Sequence, residues 1–175
     1  MRFFEEYRVR LADPVFDWDA LSWLRAAVEA RLVDMHERAG EVLPTDLARG
    51  LDRMAGYAGR DQMYLVLHGQ NLIACHALTP DGDPVFWTPG ELRQEALYLD
   101  NAMVHPTKAH MGLGALITRH ALEEARERRM DFVRLDCQRS NPRLRSHWEN
   151  LGFTHLRDVE VPGRASGTLM EAKVS

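Results

Sequence analysis

The stretch from Ala96 to Gly114 constrains this chain most. A strand read from Ala96 to Val104 is stopped by His105-Pro106, and Gly112-Leu113-Gly114 then opens an amphipathic segment. Proline cannot extend a strand ladder. Glycines let the backbone turn sharply and approach a ligand closely. Beyond them Leu113, Leu116, Ile117 and Ala121 fall on one helical face. The pattern then repeats: 132–137 reads as a strand, and 141–151 as a helix ended by Gly152. Strands alternating with amphipathic helices require a sheet with helices packed on it.

The first half of the chain is read the same way. A short strand is predicted at 7–12. A helix follows, with Leu21, Leu24, Val28, Leu32 and Met35 in one apolar stripe and Asp17 or Asp19 as its cap. Gly40 follows the polar end of that helix. A second helix after Pro44-Thr45 is suggested by Leu47, Leu51 and Met54. Residues 63–67 and 72–78 read as a hairpin turning at His68-Gly69-Gln70-Asn71. Pro80-Asp81-Gly82-Asp83-Pro84 breaks the chain, and a loop carrying Phe86, Trp87 and Pro89 leads to Glu95. Final strands are predicted at 154–161 and 168–174. The expectation is one α/β (α+β) domain over 1–175, its mixed, mostly antiparallel sheet having about seven strands and about four flanking helices.

Composition narrows the partners. Of 175 residues, 45% are apolar and 27% charged, enough for a sizeable core, which excludes wholesale disorder. A net charge of −4 advertises no nucleic-acid partner, and no apolar stretch is long enough to span a membrane. The segment Met1-Arg2-Phe3-Phe4-Glu5-Glu6 has no apolar signal region, so a cytoplasmic protein is expected. Cys75 and Cys137 belong to no C-x-x-C and read as reduced core thiols. The charged run 123–129 reads as a solvated helix face, with Glu124 and Arg128 paired one turn apart.

A Gly-x-Gly at a helix start offers free amides and a helix dipole to an anion. No Gly-Lys-Ser/Thr follows, so it is no Walker motif, and Ile117 stands where a dinucleotide fingerprint needs its third glycine. The glycines sit between Ala96-Leu97-Tyr98-Leu99-Asp100-Asn101-Ala102-Met103-Val104-His105-Pro106 and Leu135-Asp136-Cys137. Asn141-Pro142-Arg143-Leu144-Arg145-Ser146-His147-Trp148-Glu149-Asn150-Leu151-Gly152-Phe153 comes next. In that order, and over about 96–155, these segments resemble the GNAT superfamily of acetyl-CoA-dependent N-acetyltransferases.

The resemblance implies acetyl-CoA as co-substrate. It implies a bulged strand whose backbone groups bind the pantetheine arm and polarise the thioester carbonyl, which falls on Met103 and Val104. It implies pyrophosphate-binding amides at His110, Met111, Gly112, Leu113, Gly114 and Ala115, and a cofactor contact from Asn141. Two positions depart from the family pattern. Ala109, flanked by Lys108 and His110, stands where Gln or Arg is usual, and Trp148 stands where many members carry a tyrosine thought to protonate departing CoA. No general acid is carried over.

Alternation puts Tyr98, Asp100 and Ala102 on one face of the strand. Asp100 is its only carboxylate and the candidate for accepting the amine proton, directly or through water, with a merely solvated strand residue as the alternative. Tyr98 is the second candidate, orienting a water or the acceptor. His76 and His120 read as partnered core residues, and His147 as a neighbour of Trp148 with contact to the cofactor as its candidate role. No metal triad is evident. Phe86, Trp87 and Trp23 are candidates for an acceptor pocket, Trp23 lying off the core stripe, with plain packing as the alternative.

The expected activity is direct transfer of an acetyl group to a primary amine of a small molecule, with a homodimer as the candidate assembly. The alternatives are an acyl-CoA-binding regulatory module without turnover, or a peptide or protein amine as acceptor, a choice assigned to the loop at 79–95.

Overall fold

The computed structural model describes residues 2–4, 6–39 and 50–175. Its strands are β1 (Arg2–Phe4), β2 (Tyr7–Leu11), β3 (Met63–His68), β4 (Asn71–Thr79), β5 (Ala96–Val104), β6 (Phe132–Gln138), β7 (Thr154–Asp158) and β8 (Ser166–Lys173). Its helices are α1 (Trp18–Ala39), α2 (Gly50–Ala58), α3 (Pro89–Leu92), α4 (Leu113–Glu127) and α5 (Pro142–Asn150). The strand order is β1-β2-β3-β4-β5-β6-β8-β7. This is the expected mixed α/β sheet, with two elements that the sequence did not signal, the short β1 and α3. The features expected at Gly40, Pro44-Thr45 and Leu47 lie outside the described residues.

The chain divides into two compact units, one from residues 1–77 and 101–116, the other from 78–100 and 117–175. In the first unit β1, β2, β3 and β4 are joined antiparallel, and His68 opposes Asn71 across the expected tight hairpin. Period two sends Met63, Leu65 and Leu67 into one core cluster with Leu72, Cys75 and Ala77. Leu21 and Leu24 of α1 and Met54 and Ala58 of α2 join that cluster. Leu51, expected beside Met54, is instead 41% exposed, because the buried side of α2 runs through Gly50, Met54 and Ala58.

Asp17 precedes α1, but its carboxylate serves another purpose than capping. It takes both arms of Arg10 at 2.6 and 2.8 Å and the Asp13 N–H at 2.7 Å. The bond from Arg10 holds the Asp17 carboxyl below its ordinary range.

The second unit contains the parallel pair β5–β6, with Ala96 opposite Phe132, and the antiparallel pairs β6–β8 and β7–β8. Its core gathers Phe86, Trp87, Ala96, Tyr98 and Leu169. The loop at 79–95 is therefore no aromatic wall of an open pocket, since Phe86 is 3% and Trp87 2% exposed. A capping box between Thr88 and Glu91 starts α3. Arg157 grips both oxygens of Glu91 at 2.7 Å and holds that carboxyl down at about 2. Glu124 and Arg128 pair at 2.8 Å, as their spacing requires. His76 and His120 are buried core residues, His76 stacked on Tyr64.

Candidate active site

In the first unit the site is built on the end of β5. Asn101 has φ 47°, so the strand is broken two residues ahead of Met103, and strict alternation holds no further than that point. Beyond the break, the Met103 backbone N–H faces the Cys75 sulfur, and the His105 N–H donates to the Ile73 carbonyl at 2.8 Å. Residues 103 and 105 thus turn their donors toward β4, and the pleat turns that of Val104 to the opposite edge. Of the two residues expected to offer backbone groups to the cofactor, Met103 directs its N–H toward β4 and Val104 directs its own to the opposite edge.

The connection from β5 to α4 is held open by local devices. His105 starts a 3₁₀ turn at Pro106–Lys108, its Nδ1 accepting from the Thr107 N–H at 3.3 Å and lying 2.8 Å from Thr107 Oγ1. Its ring stacks on Trp23, with centroids 4.7 Å apart. Trp23, off the core stripe, is thereby covered by the loop on one side and remains 55% exposed.

His110 and Gly112 both have left-handed φ, 70° and 72°. A Cβ built on Gly112 would meet nothing within 4 Å, so glycine is required there by conformation, and the space in front of it is open. The Leu116 N–H donates to the Gly112 carbonyl at 3.2 Å. The amides of Leu113, Gly114 and Ala115 precede that bond and have no acceptor within the helix. Open space before free amides fits an anionic cofactor arm, and these residues with His110 and Met111 would hold it. Gly112→Val should therefore weaken acetyl-CoA binding at least about tenfold, or about 1.4 kcal/mol, as read by titration calorimetry. The variant should melt earlier but stay folded, since left-handed strain for a side chain costs roughly 1–2 kcal/mol. Undiminished affinity in a folded variant would reduce the loop to a helix start.

The same unit holds a cleft of about 600 Å³ lined by α1 residues Val28, Arg31, Leu32 and Met35 and by Val104, Pro106, Thr107, Ala109 and His110. Sequence reasoning assigned the whole α1 stripe to the core. Only Leu21 and Leu24 are fully buried; Met35 is 48% exposed. No local signal separates the two halves of such a stripe.

In the second unit Asp100 is half-buried on β5. Tyr98, the other candidate, is 6% exposed, with its hydroxyl 3.4 Å from Arg134 and its ring tip where a Cβ on Gly82 would fall. Those contacts pack Tyr98 into the core of the second unit. Asn141 caps α5, its side-chain oxygen accepting from the Leu144 N–H at 3.0 Å. Trp148 is buried edge-on against Phe153 and the exposed His147. Burial pushes both cysteine thiols up to about 12, which removes them as nucleophiles. Among the described residues no cluster of three or more metal-ligating side chains occurs.

The structure is that of a mixed α/β protein in which a broken strand leads through a left-handed loop to the first amides of a helix. The acetyltransferase (GNAT) family matches residues 14–153, and the chain belongs to that family. Its acyl donor is acetyl-CoA. A GNAT-family acetyltransferase from Streptococcus agalactiae superposes with a TM-score of 0.76 at 14% identity, covering 99% of this chain and 98% of that one. One from Listeria monocytogenes gives 0.75 at 18% identity, covering 95% and 94%. The PaiA N-acetyltransferase of Thermoplasma acidophilum, in complex with coenzyme A, gives 0.69 at 14% identity, covering 95% and 98%. A comparison with curated proteins finds no match.

Proposed function

We propose that residues 1–175 act as one N-acetyltransferase domain that moves an acetyl group to a primary amine of a small molecule. The observation that carries this reading is the open cleft bordered by Val104, the residue whose backbone donor faces away from β4. Acetyl-CoA, when bound, supplies a thioester carbonyl. The Val104 N–H steadies the negative charge that gathers on that oxygen. Asp100 takes the amine proton, directly or through a water. With both thiols held protonated, transfer is direct and passes through no acyl-cysteine. Asn141 adds a cofactor contact from the groups its cap leaves over.

The same reading makes it a cytoplasmic enzyme with no nucleic acid or membrane partner, with a homodimer as the candidate assembly. No helix among the described residues is long and apolar enough to cross a membrane.

A regulatory module that binds acyl-CoA without turnover is favoured by Ala109 and Trp148. An indole N–H donates but does not titrate usefully, so Trp148 cannot deliver a proton. A thiol with a pKa near about 8.5 leaves tolerably as thiolate without one. Trp148→Phe should therefore cost less than about tenfold in kcat, against about 10²–10⁴-fold for loss of a true general acid. The deciding experiment pairs acetyl-CoA titration with thiol release over a panel of small amines and peptides. Turnover on a small amine supports the enzyme, turnover on peptides alone moves the acceptor, and binding without turnover makes the protein the module.

A further inference from the structure

The cleft between α1 and the loop after β5 has a composition of its own. Its apolar surface comes from Val28, Leu32 and Met35 on one side and from Val104, Pro106 and Ala109 on the other. The polar residues on its lining are Arg31, Thr107 and His110. Among the described lining residues there is no carboxylate. A volume of about 600 Å³ is of the size that takes a small organic molecule.

Charge decides which kind. Asp34 receives Arg38 Nε at 2.9 Å and Arg31 only at 3.6 Å. So long a surface contact contributes little and leaves most of the five N–H donors of Arg31 for another acceptor. A guanidinium fork matches a carboxylate in both shape and charge. A polyamine would find no anionic partner on the described lining and would meet Arg31 as a like charge.

We propose that this cleft seats the acceptor, and that the acceptor is a small amine carrying both a carboxylate and an apolar side chain. Arg31 holds the carboxylate, and Val28, Leu32 and Met35 cover the apolar part. The inference rests on the acetyltransferase reading, because Val104 belongs both to the cleft and to the proposed seat of the thioester.

The test compares L-leucine with L-leucinamide, which differ at the carboxylate, and adds spermidine as a polycation. Chemistry alone favours leucinamide, whose amine is less basic, so a preference for leucine reports recognition. Wild-type kcat/KM by thiol release should favour leucine at least about tenfold over either rival, equivalent to about 1.4 kcal/mol. Arg31→Gln should erase most of that preference and leave acetyl-CoA affinity unchanged, and Arg31→Lys should restore part of it. Calorimetry with N-acetyl-L-leucine and N-acetyl-L-leucinamide reads the same discrimination without turnover. Amine turnover that ignores the carboxylate, or a preference that survives Arg31→Gln, overturns the inference and leaves the transferase reading standing. Carboxylate-dependent binding through Arg31 with no turnover on any amine supports the carboxylate site and sinks the transferase. Loss of acetyl-CoA affinity in Arg31→Gln gives the cleft to the cofactor and overturns the proposal.

Discussion

Asp100→Asn is expected to lower kcat/KM by roughly 10²- to 10⁴-fold near neutral pH, the range for loss of a proton-transfer group. Asparagine keeps the shape and the hydrogen-bonding reach of the side chain but cannot accept a proton. The rate should recover in part at higher pH, as the fraction of free amine rises and the enzyme has less proton to remove. Acetyl-CoA affinity should barely move, because the amides proposed to hold the cofactor lie at the start of α4. Tyr98→Phe is the matched control: it gives up only the 3.4 Å contact with Arg134 and should leave the rate nearly intact. Steady-state kinetics from pH 6 to about 9.5, over which the free-amine fraction of an ammonium with a pKa of about 10.4 rises steadily, decide the matter. A wild-type profile for Asp100→Asn would return that residue to the solvated surface of β5 and leave proton removal to bulk water.

What the sequence made legible follows the strength of its local signals. The bounds of β5 were readable because apolar residues open and close the segment and His105-Pro106 stops it. The start of α4 was readable to within a residue or two, since the glycines mark the turn and Leu113, Leu116 and Ile117 mark the buried face. The three residues of β1 carry too little pattern to register as a strand.

The misread loop at 79–95 has a different cause. Its aromatics look available because the contacts that bury them come from far along the chain. Arg157 reaches Glu91 from 66 residues away, and Arg164 reaches Asp83 from 81. Only the capping box Thr88-x-x-Glu91 was a local clue to α3. The cleft was invisible for the opposite reason. Val28, Leu32 and Met35 continue a periodicity that Leu21 and Leu24 satisfy in the core, and periodicity reports a face without saying what covers it. Asn101 gave no local sign of the break in β5, which only the family resemblance implied, since asparagine tolerates left-handed φ without announcing it as glycine would.

Arg134 carries the largest stability effect to be expected in the second unit. It is 2% exposed, yet no motif singled it out. Its Nε donates to Glu171 at 2.7 Å, one terminal nitrogen donates to the Glu91 carbonyl at 2.8 Å and reaches the Tyr98 hydroxyl, and the other donates to the Gln94 side chain. Its guanidinium carbon lies 5.3 Å from the centroid of Trp87 and 4.9 Å from that of Phe132. Arg134→Ala removes a buried cation, empties the space between two rings and strands the Glu171 carboxylate, a combination that costs about 3–5 kcal/mol for a broken buried pair. Glu171 keeps some access to water, which favours the lower end. Arg134→Lys retains charge but loses the planar fork and should recover only part of the loss. Replacing both partners, Arg134→Met with Glu171→Leu, leaves no orphaned charge and should be more stable than Arg134→Ala alone. Urea unfolding measures all three. A loss below about 1 kcal/mol for Arg134→Ala, the scale of an exposed ion pair, would show that the arginine is replaceable filling. A loss in the expected range would make Arg134 a keystone of this core, since it opposes Tyr98 across the β5–β6 pair and bonds its hydroxyl at 3.4 Å.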